Sequence, residues 1–124
     1  MKKTVSSALA PAAIGPYSQA IVSGDLIFVS GQLPVDTSTG EMPEGTAEQT
    51  RQSLTNIRHI LEEAGSGMDK IVKTTVLLQD MGDFAAMNEV YATFFESDFP
   101  ARACYEVAKL PKGALVEIEA IAEK

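Results

Sequence analysis

Residues 115–122 read Leu115-Val116-Glu117-Ile118-Glu119-Ala120-Ile121-Ala122. Successive side chains of a strand point to opposite faces. Val116, Ile118, Ala120 and Ala122 therefore form one apolar face, suited to a core under helices. Leu115, Glu117, Glu119 and Ile121 form a second, mixed face. Upstream, the run from Ala101 to Val107 also alternates, with Ala103, Tyr105 and Val107 on one side and Arg102, Cys104 and Glu106 on the other. The short connection through Leu110-Pro111-Lys112-Gly113 suggests that the two strands form a hairpin, which would put Arg102, Cys104, Glu117 and Glu119 on one common face. Such a face is either a solvated sheet surface or a surface packed on another subunit, with a cleft for the charges. Alternation alone favours the solvated surface, because most charged residues are simply exposed. Leu115 and Ile121 bracketing the carboxylates weaken that preference without reversing it.

The rest of the chain divides at turn signals. Tyr17 to Ser23 and Leu26 to Ser30 are strand-like runs separated by Gly24-Asp25, a two-residue hairpin signal. A short strand can precede them. Pro34 to Gly45 reads as an ordered loop. Thr46-Ala47-Glu48-Gln49 has the form of a capping box; behind it Leu54, Ile57, Ile60, Leu61 and Ala64 recur at helical spacing, and Gly65 is placed to end the helix. Ile71 to Leu78 is β-branched and apolar, a strand. Asp83 is positioned to cap a second helix with an inner face of Phe84, Met87, Tyr91 and Phe94. The simplest arrangement is an α+β fold with one mainly antiparallel sheet and both helices on one face.

With 124 residues the chain is one domain, 1–124, and its 45% apolar content is that of an ordinary globular protein. No segment approaches the roughly 20 apolar residues of a membrane span. Lys2 and Lys3 are followed by no apolar stretch, so no signal peptide is expected. A single cysteine excludes an intrachain disulfide, and one cysteine with one histidine cannot build the usual zinc site, so a reducing compartment, the cytoplasm, is expected. A net charge of −7 without a basic stripe argues against nucleic acid as a partner. A small anion remains possible, since one well-placed arginine outweighs a distant net charge.

Several stretches together resemble the RidA family of reactive-intermediate (imine) deaminases, the YjgF-type proteins. They are Ile14-Gly15-Pro16-Tyr17-Ser18-Gln19-Ala20, Val29-Ser30-Gly31-Gln32-Leu33-Pro34, Asn88-Glu89-Val90-Tyr91 with Phe94-Phe95, Pro100-Ala101-Arg102-Ala103-Cys104, and Val116 to Ala122. Each motif is weak alone; in this order over nearly the whole chain they are specific. The resemblance implies a chorismate-mutase-like α/β fold, assembled as a homotrimeric barrel with three clefts between subunits. It also implies a 2-iminobutanoate/2-iminopropanoate deaminase, without metal or cofactor, acting on products of pyridoxal-phosphate enzymes.

Carried over residue by residue, Arg102 matches the family's substrate-carboxylate arginine, and a guanidinium can grip a carboxylate through two parallel hydrogen bonds. Glu117 matches the acidic residue near the imine, a group to position or activate water. Tyr17, Ser30, Gly31, Asn88 and Cys104 match substrate-binding positions. No histidine base is near Cys104 in sequence, so its thiol is not expected to be a nucleophile; its main chain can contact substrate or water, and a small buried hydrophobe is an equally good reading of the residue. His59 matches nothing in the pattern, and its helical position reads as solvated. A non-enzymatic trimer that senses a small carboxylate in the same cleft is the leading alternative. Ribonuclease, translation-inhibitor and chaperone-like roles are further ones.

Overall fold

A computed structural model describes residues 1–124. Its strands are β1 (Lys3–Val5), β2 (Ala20–Ser23), β3 (Leu26–Gln32), β4 (Ile71–Leu78), β5 (Ala101–Glu106) and β6 (Val116–Glu123); the helices are α1 (Thr46–Glu63) and α2 (Phe84–Ala92). They form one six-stranded sheet in the order β1-β2-β3-β6-β4-β5. All pairings are antiparallel except β4 with β5, which run parallel with α2 as the crossover. The α+β reading, with one mainly antiparallel sheet, holds.

Local chemistry accounts for the boundaries. Ser23 pairs with Leu26, so Gly24-Asp25 is the turn between β2 and β3. Gly24 has φ 60° and Asp25 has no positive φ, the pattern of a type II′ turn. Helix α1 ends in a Schellman motif: Gly65 at φ 81° donates to the Glu62 carbonyl at 3.0 Å and Ser66 to that of Leu61 at 2.8 Å. Leu54, Ile57, Ile60 and Leu61 on the inner stripe of α1 are fully buried, as are Ile27, Val76, Leu78, Val116, Ile118 and Ala122 of the sheet. Each Leu, Ile and Val side chain among them contributes about 1.5–3 kcal/mol through burial.

Both expected helix caps do something else. Gly45, at φ 85°, stands at the N-cap of α1, so Thr46 is already inside the helix. The Thr46 hydroxyl donates to Asp83 Oδ2 at 2.8 Å, tying the two helix starts together. Gln49 donates to the Pro43 carbonyl at 3.0 Å and accepts from Leu115 N at 2.8 Å. Thr46 and Gln49 therefore clamp neighbouring segments rather than forming a capping box. Asp83 stands at the start of α2 without a side-chain cap bond. On α2, Met87, Val90 and Tyr91 are buried and Phe84 partly so; Phe94, just past the helix end, is also partly buried.

The expected β5–β6 hairpin does not form, because β4 lies between the two strands. Residues 107–115 are long enough to pass over one strand, a lateral step of about 10 Å. This changes which side chains share a face. Thr74 pairs with both Arg102 and Ala120, and Val76 with both Cys104 and Ile118. Arg102 and Cys104 consequently stand on the helix-covered face. Leu77 pairs with both Tyr105 and Glu117, and Thr75 with both Ala103 and Glu119, so the two glutamates stand on the open face. That open face carries Ile21, Phe28 and Ile121 around a hollow of about 340 Å³. Phe28 is 42% and Tyr105 52% exposed there, and no element of the chain covers them.

Candidate active site

The expected site residues fall into two groups. The first surrounds Arg102 on the edge strand β5. Its guanidinium Nη1 donates to Asn88 Oδ1 at 2.7 Å, and its Cζ lies 4.9 Å from the Tyr91 ring centroid and 5.4 Å from that of Phe84. No carboxylate pairs with it: the chain's one ion pair is Arg51–Glu48 on α1, at 3.5 Å. A pocket of about 500 Å³ opens beside it, bounded by Asn88, Tyr91, Phe99 and Pro100. A half-buried cation with aromatic faces beside it and no counter-ion is an anion-binding arrangement. Asn88, expected to touch substrate, spends its carbonyl on Arg102.

The second group lies on the other face, where β3 passes β6. Pairing slips between Val29 and Gln32, leaving Ser30 and Gly31 in a bulge. Glu117 reaches over this bulge. A Cβ at Gly31 would lie 3.0 Å from the Glu117 Cδ and 3.3 Å from its Cγ, so only glycine leaves the carboxylate its place. Burial raises the Glu117 pKa above the ordinary carboxylate range, and the charge of Glu119 raises it further. Tyr17, Ser30, Gly31 and Glu117 border a pocket of about 660 Å³, with Pro11, Ile14 and Leu33 among its apolar walls. The Ser30 hydroxyl donates to the Ser18 carbonyl at 2.6 Å, which leaves its lone pairs for a ligand donor.

Polar residues that carried no periodic signal hold the walls of this pocket. Gln19 is 3% exposed; its Nε2 donates to the carbonyls of Ser7, Ala10 and Pro11, and its Oε1 accepts from Ser7 N at 2.7 Å. Asn56 donates to the carbonyls of Leu33 and Val35 at 3.1 and 3.0 Å, and Ser53 to that of Gln32 at 3.0 Å. His59, which read as solvated, has Nδ1 at 3.1 Å from the Leu9 carbonyl and so helps hold the same N-terminal loop. Buried amides bonded to loop carbonyls satisfy groups that would otherwise be costly to bury, and they fix the loop.

Cys104 stands two residues beyond Arg102 on the helix-covered face, at the margin of the core. Burial raises its thiol pKa, with the Arg102 charge working the other way. A thiol raised this way stays protonated at neutral pH, which suits a packing group better than a nucleophile. No three His, Cys, Asp or Glu side chains converge as a metal ligand set.

The two groups are separate within one chain. From strand spacing and rise, the Cα atoms of Arg102 and Glu117 are about 14 Å apart, and their side chains leave opposite faces of the sheet. The common face expected for Arg102, Cys104, Glu117 and Glu119 rested on the β5–β6 hairpin and falls with it.

Comparison with known proteins places the chain. The sequence signature of the family described as endoribonuclease L-PSP matches residues 7–124. A protein of Bos taurus named 2-iminobutanoate/2-iminopropanoate deaminase is 54% identical over 98% of this chain and 90% of its own length. The crystal structure of the YjgF gene product of E. coli superposes with a TM-score of 0.95 at 50% identity, over 98% of both chains. That of E. coli TdcF with bound serine gives a TM-score of 0.95 at 45% identity, also over 98% of both chains. The chain belongs to the endoribonuclease L-PSP family, the family of the YjgF and RidA proteins that its signatures resemble.

Proposed function

We propose that this protein hydrolyses short-lived 2-imino acids, 2-iminobutanoate and 2-iminopropanoate, to 2-oxo acids and ammonia, and that it does so as a homotrimer with clefts between subunits. The observation that carries the reading is Arg102: a guanidinium seated without a counter-ion at a pocket mouth, suited to gripping a small carboxylate. The Bos taurus relative is named for this activity, and TdcF was crystallised with serine, a small molecule that bears a carboxylate.

The carboxylate and the imine carbon of such a substrate are adjacent, so the group that grips one and the group that serves the other must meet across one small molecule. Arg102 and Glu117 of one chain point away from each other. Each cleft therefore takes Arg102, Asn88 and Cys104 from one protomer and Tyr17, Ser30, Gly31 and Glu117 from its neighbour. Strand β5 is a sheet edge, where a second chain can approach. The uncovered open face with Phe28 and Tyr105 supplies the apolar surface for assembly into a barrel.

In the cleft, Arg102 holds the substrate carboxylate. Water attacks the imine carbon, forming a C–O bond, while Glu117 takes a proton from that water. That proton passes to the nitrogen, which has taken the C=N electron pair; the carbinolamine hydroxyl then gives its proton, through Glu117, to the same nitrogen as the C–N bond breaks, so that ammonia leaves and the C=O of the 2-oxo acid forms. A carboxyl group with a raised pKa is matched to holding a proton between these steps. No metal or cofactor enters the proposal. Positioning supplies most of the acceleration, because the free imine already hydrolyses in water.

Glu117 lying over Gly31 favours an enzyme over a carboxylate sensor, which would need the arginine alone. A net charge of −7 opposes the phosphate contacts an endoribonuclease requires. The substrate is a freely diffusing metabolite of the cytoplasm. The test couples a threonine dehydratase to the purified protein and follows 2-oxo acid release. Release faster than in buffer is expected; an unchanged rate with folded protein would contradict the proposal.

A further inference from the structure

Helix α2 presents Phe84, Met87, Asn88 and Tyr91 at helical spacing i, i+3, i+4, i+7, and all four reach the same side chain, Arg102. Tyr91 is itself held: its hydroxyl lies 2.6 Å from Thr74 Oγ1, with Tyr91 5% and Thr74 1% exposed. Thr74 is the register partner of Arg102 on β4. One end of the Tyr91 ring is thus fixed to the strand next to the one that carries the arginine, while the ring lies beside the guanidinium. The Phe95 ring, 5.0 Å from that of Tyr91 between centroids, backs it.

We propose that Tyr91, anchored by Thr74, and Phe84 are positioning residues that hold the Arg102 guanidinium in its binding orientation before substrate arrives. This rests on Arg102 as the carboxylate anchor. An arginine side chain has many rotamers, and a small substrate makes too few contacts to order it cheaply. Asn88 occupies one N–H of Nη1, the aromatic rings restrict tilt, and the remaining donors keep an edge free for two parallel bonds to a carboxylate. The stripe on α2 that reads in sequence as core is then the seat of the binding group.

The test compares steady-state kinetics on 2-iminobutanoate for Phe84→Leu, Tyr91→Leu, Tyr91→Phe and Arg102→Ala, each checked for assembly and circular dichroism. Loss of a ring beside a partly desolvated cation should raise KM about five- to tenfold in Phe84→Leu and Tyr91→Leu, with kcat within about twofold of wild type. Tyr91→Phe, which keeps the ring and loses the Thr74 bond, should fall between wild type and Tyr91→Leu. Should Tyr91→Leu fail to fold, Phe84→Leu, at a partly exposed position, carries the test. Wild-type KM in the ring-loss variants, or a fall in kcat at unchanged KM, with Arg102→Ala inactive, would overturn the positioning role and leave the arginine reading standing. An active Arg102→Ala would instead remove the arginine reading itself.

Discussion

The Glu117 carboxylate occupies the space where Gly31 lacks a side chain: a Cβ there would lie 3.0 Å from Glu117 Cδ. Gly31 is not among the positive-φ residues, so alanine is permitted by the backbone and only the contact with Glu117 opposes it. Gly31→Ala should therefore leave the fold intact and push the carboxylate aside. The expected outcome is a fall in kcat of about tenfold or more with little change in Tm. Kinetics and thermal unfolding on the same preparation check it, and wild-type kcat would show that the position of Glu117 is not critical.

Glu117 also carries a pH prediction. Its pKa is raised by burial first and by Glu119 second. If ionised Glu117 receives the proton from water, kcat falls as pH drops through that raised value. Glu119→Gln removes one of the two causes, so the acid limb of the profile should move to lower pH. Stability has the opposite sense. The folded state binds this proton more tightly than the unfolded chain, so the contribution is full below the ordinary carboxylate range and is lost as pH rises through the folded value. Glu117→Gln should accordingly lower kcat while raising Tm at neutral pH relative to acid pH. Profiles of kcat and Tm against pH read both, and an acid limb unmoved by Glu119→Gln would contradict the assignment.

Arg102→Ala should lose most of the activity while remaining assembled. A hydrogen bond to a charged group contributes about 1.5–3 kcal/mol, so losing one costs about tenfold or more in kcat/KM and losing a bidentate pair up to several hundredfold. Arg102→Lys should recover only part, since an ammonium lacks the planar fork. Near wild-type kcat/KM in Arg102→Ala would make the residue a mere strand cation.

Cys104→Ser and Cys104→Ala should keep substantial activity, because burial holds the thiol protonated and the proposed chemistry assigns it no step. Alkylation-independent turnover of Cys104→Ala is the measurement. Two folded, assembled and fully inactive variants would require a covalent route through sulfur.

Much of the fold was legible because it is written in local patterns. Gly24-Asp25 marked its hairpin, Gly65 ended α1, and Val116, Ile118, Ala120 and Ala122 marked the buried face of β6. The partner of β5 was not legible, because the alternation of Arg102 and Cys104 fits a hairpin partner and a parallel partner equally well. The short connection favoured the hairpin, whereas β4 takes the place between β5 and β6. The types of the candidate site residues were readable from the family signatures, but their faces depended on that pairing. Gln19, Asn56 and the seat of Arg102 on α2 stayed hidden because buried polar contacts between distant segments leave no period in the sequence.

In the proposed cleft the arginine comes from one chain and the glutamate from the next. Mixing Arg102→Ala with Glu117→Gln under conditions that allow subunit exchange checks this arrangement. Each variant alone should be nearly inactive. After random reassembly from equal amounts into closed trimers, about one cleft in four unites an intact Arg102 with an intact Glu117, so activity should return to roughly a quarter of wild type. A mixture whose subunits demonstrably exchange and yet remains as inactive as its components would contradict the shared cleft.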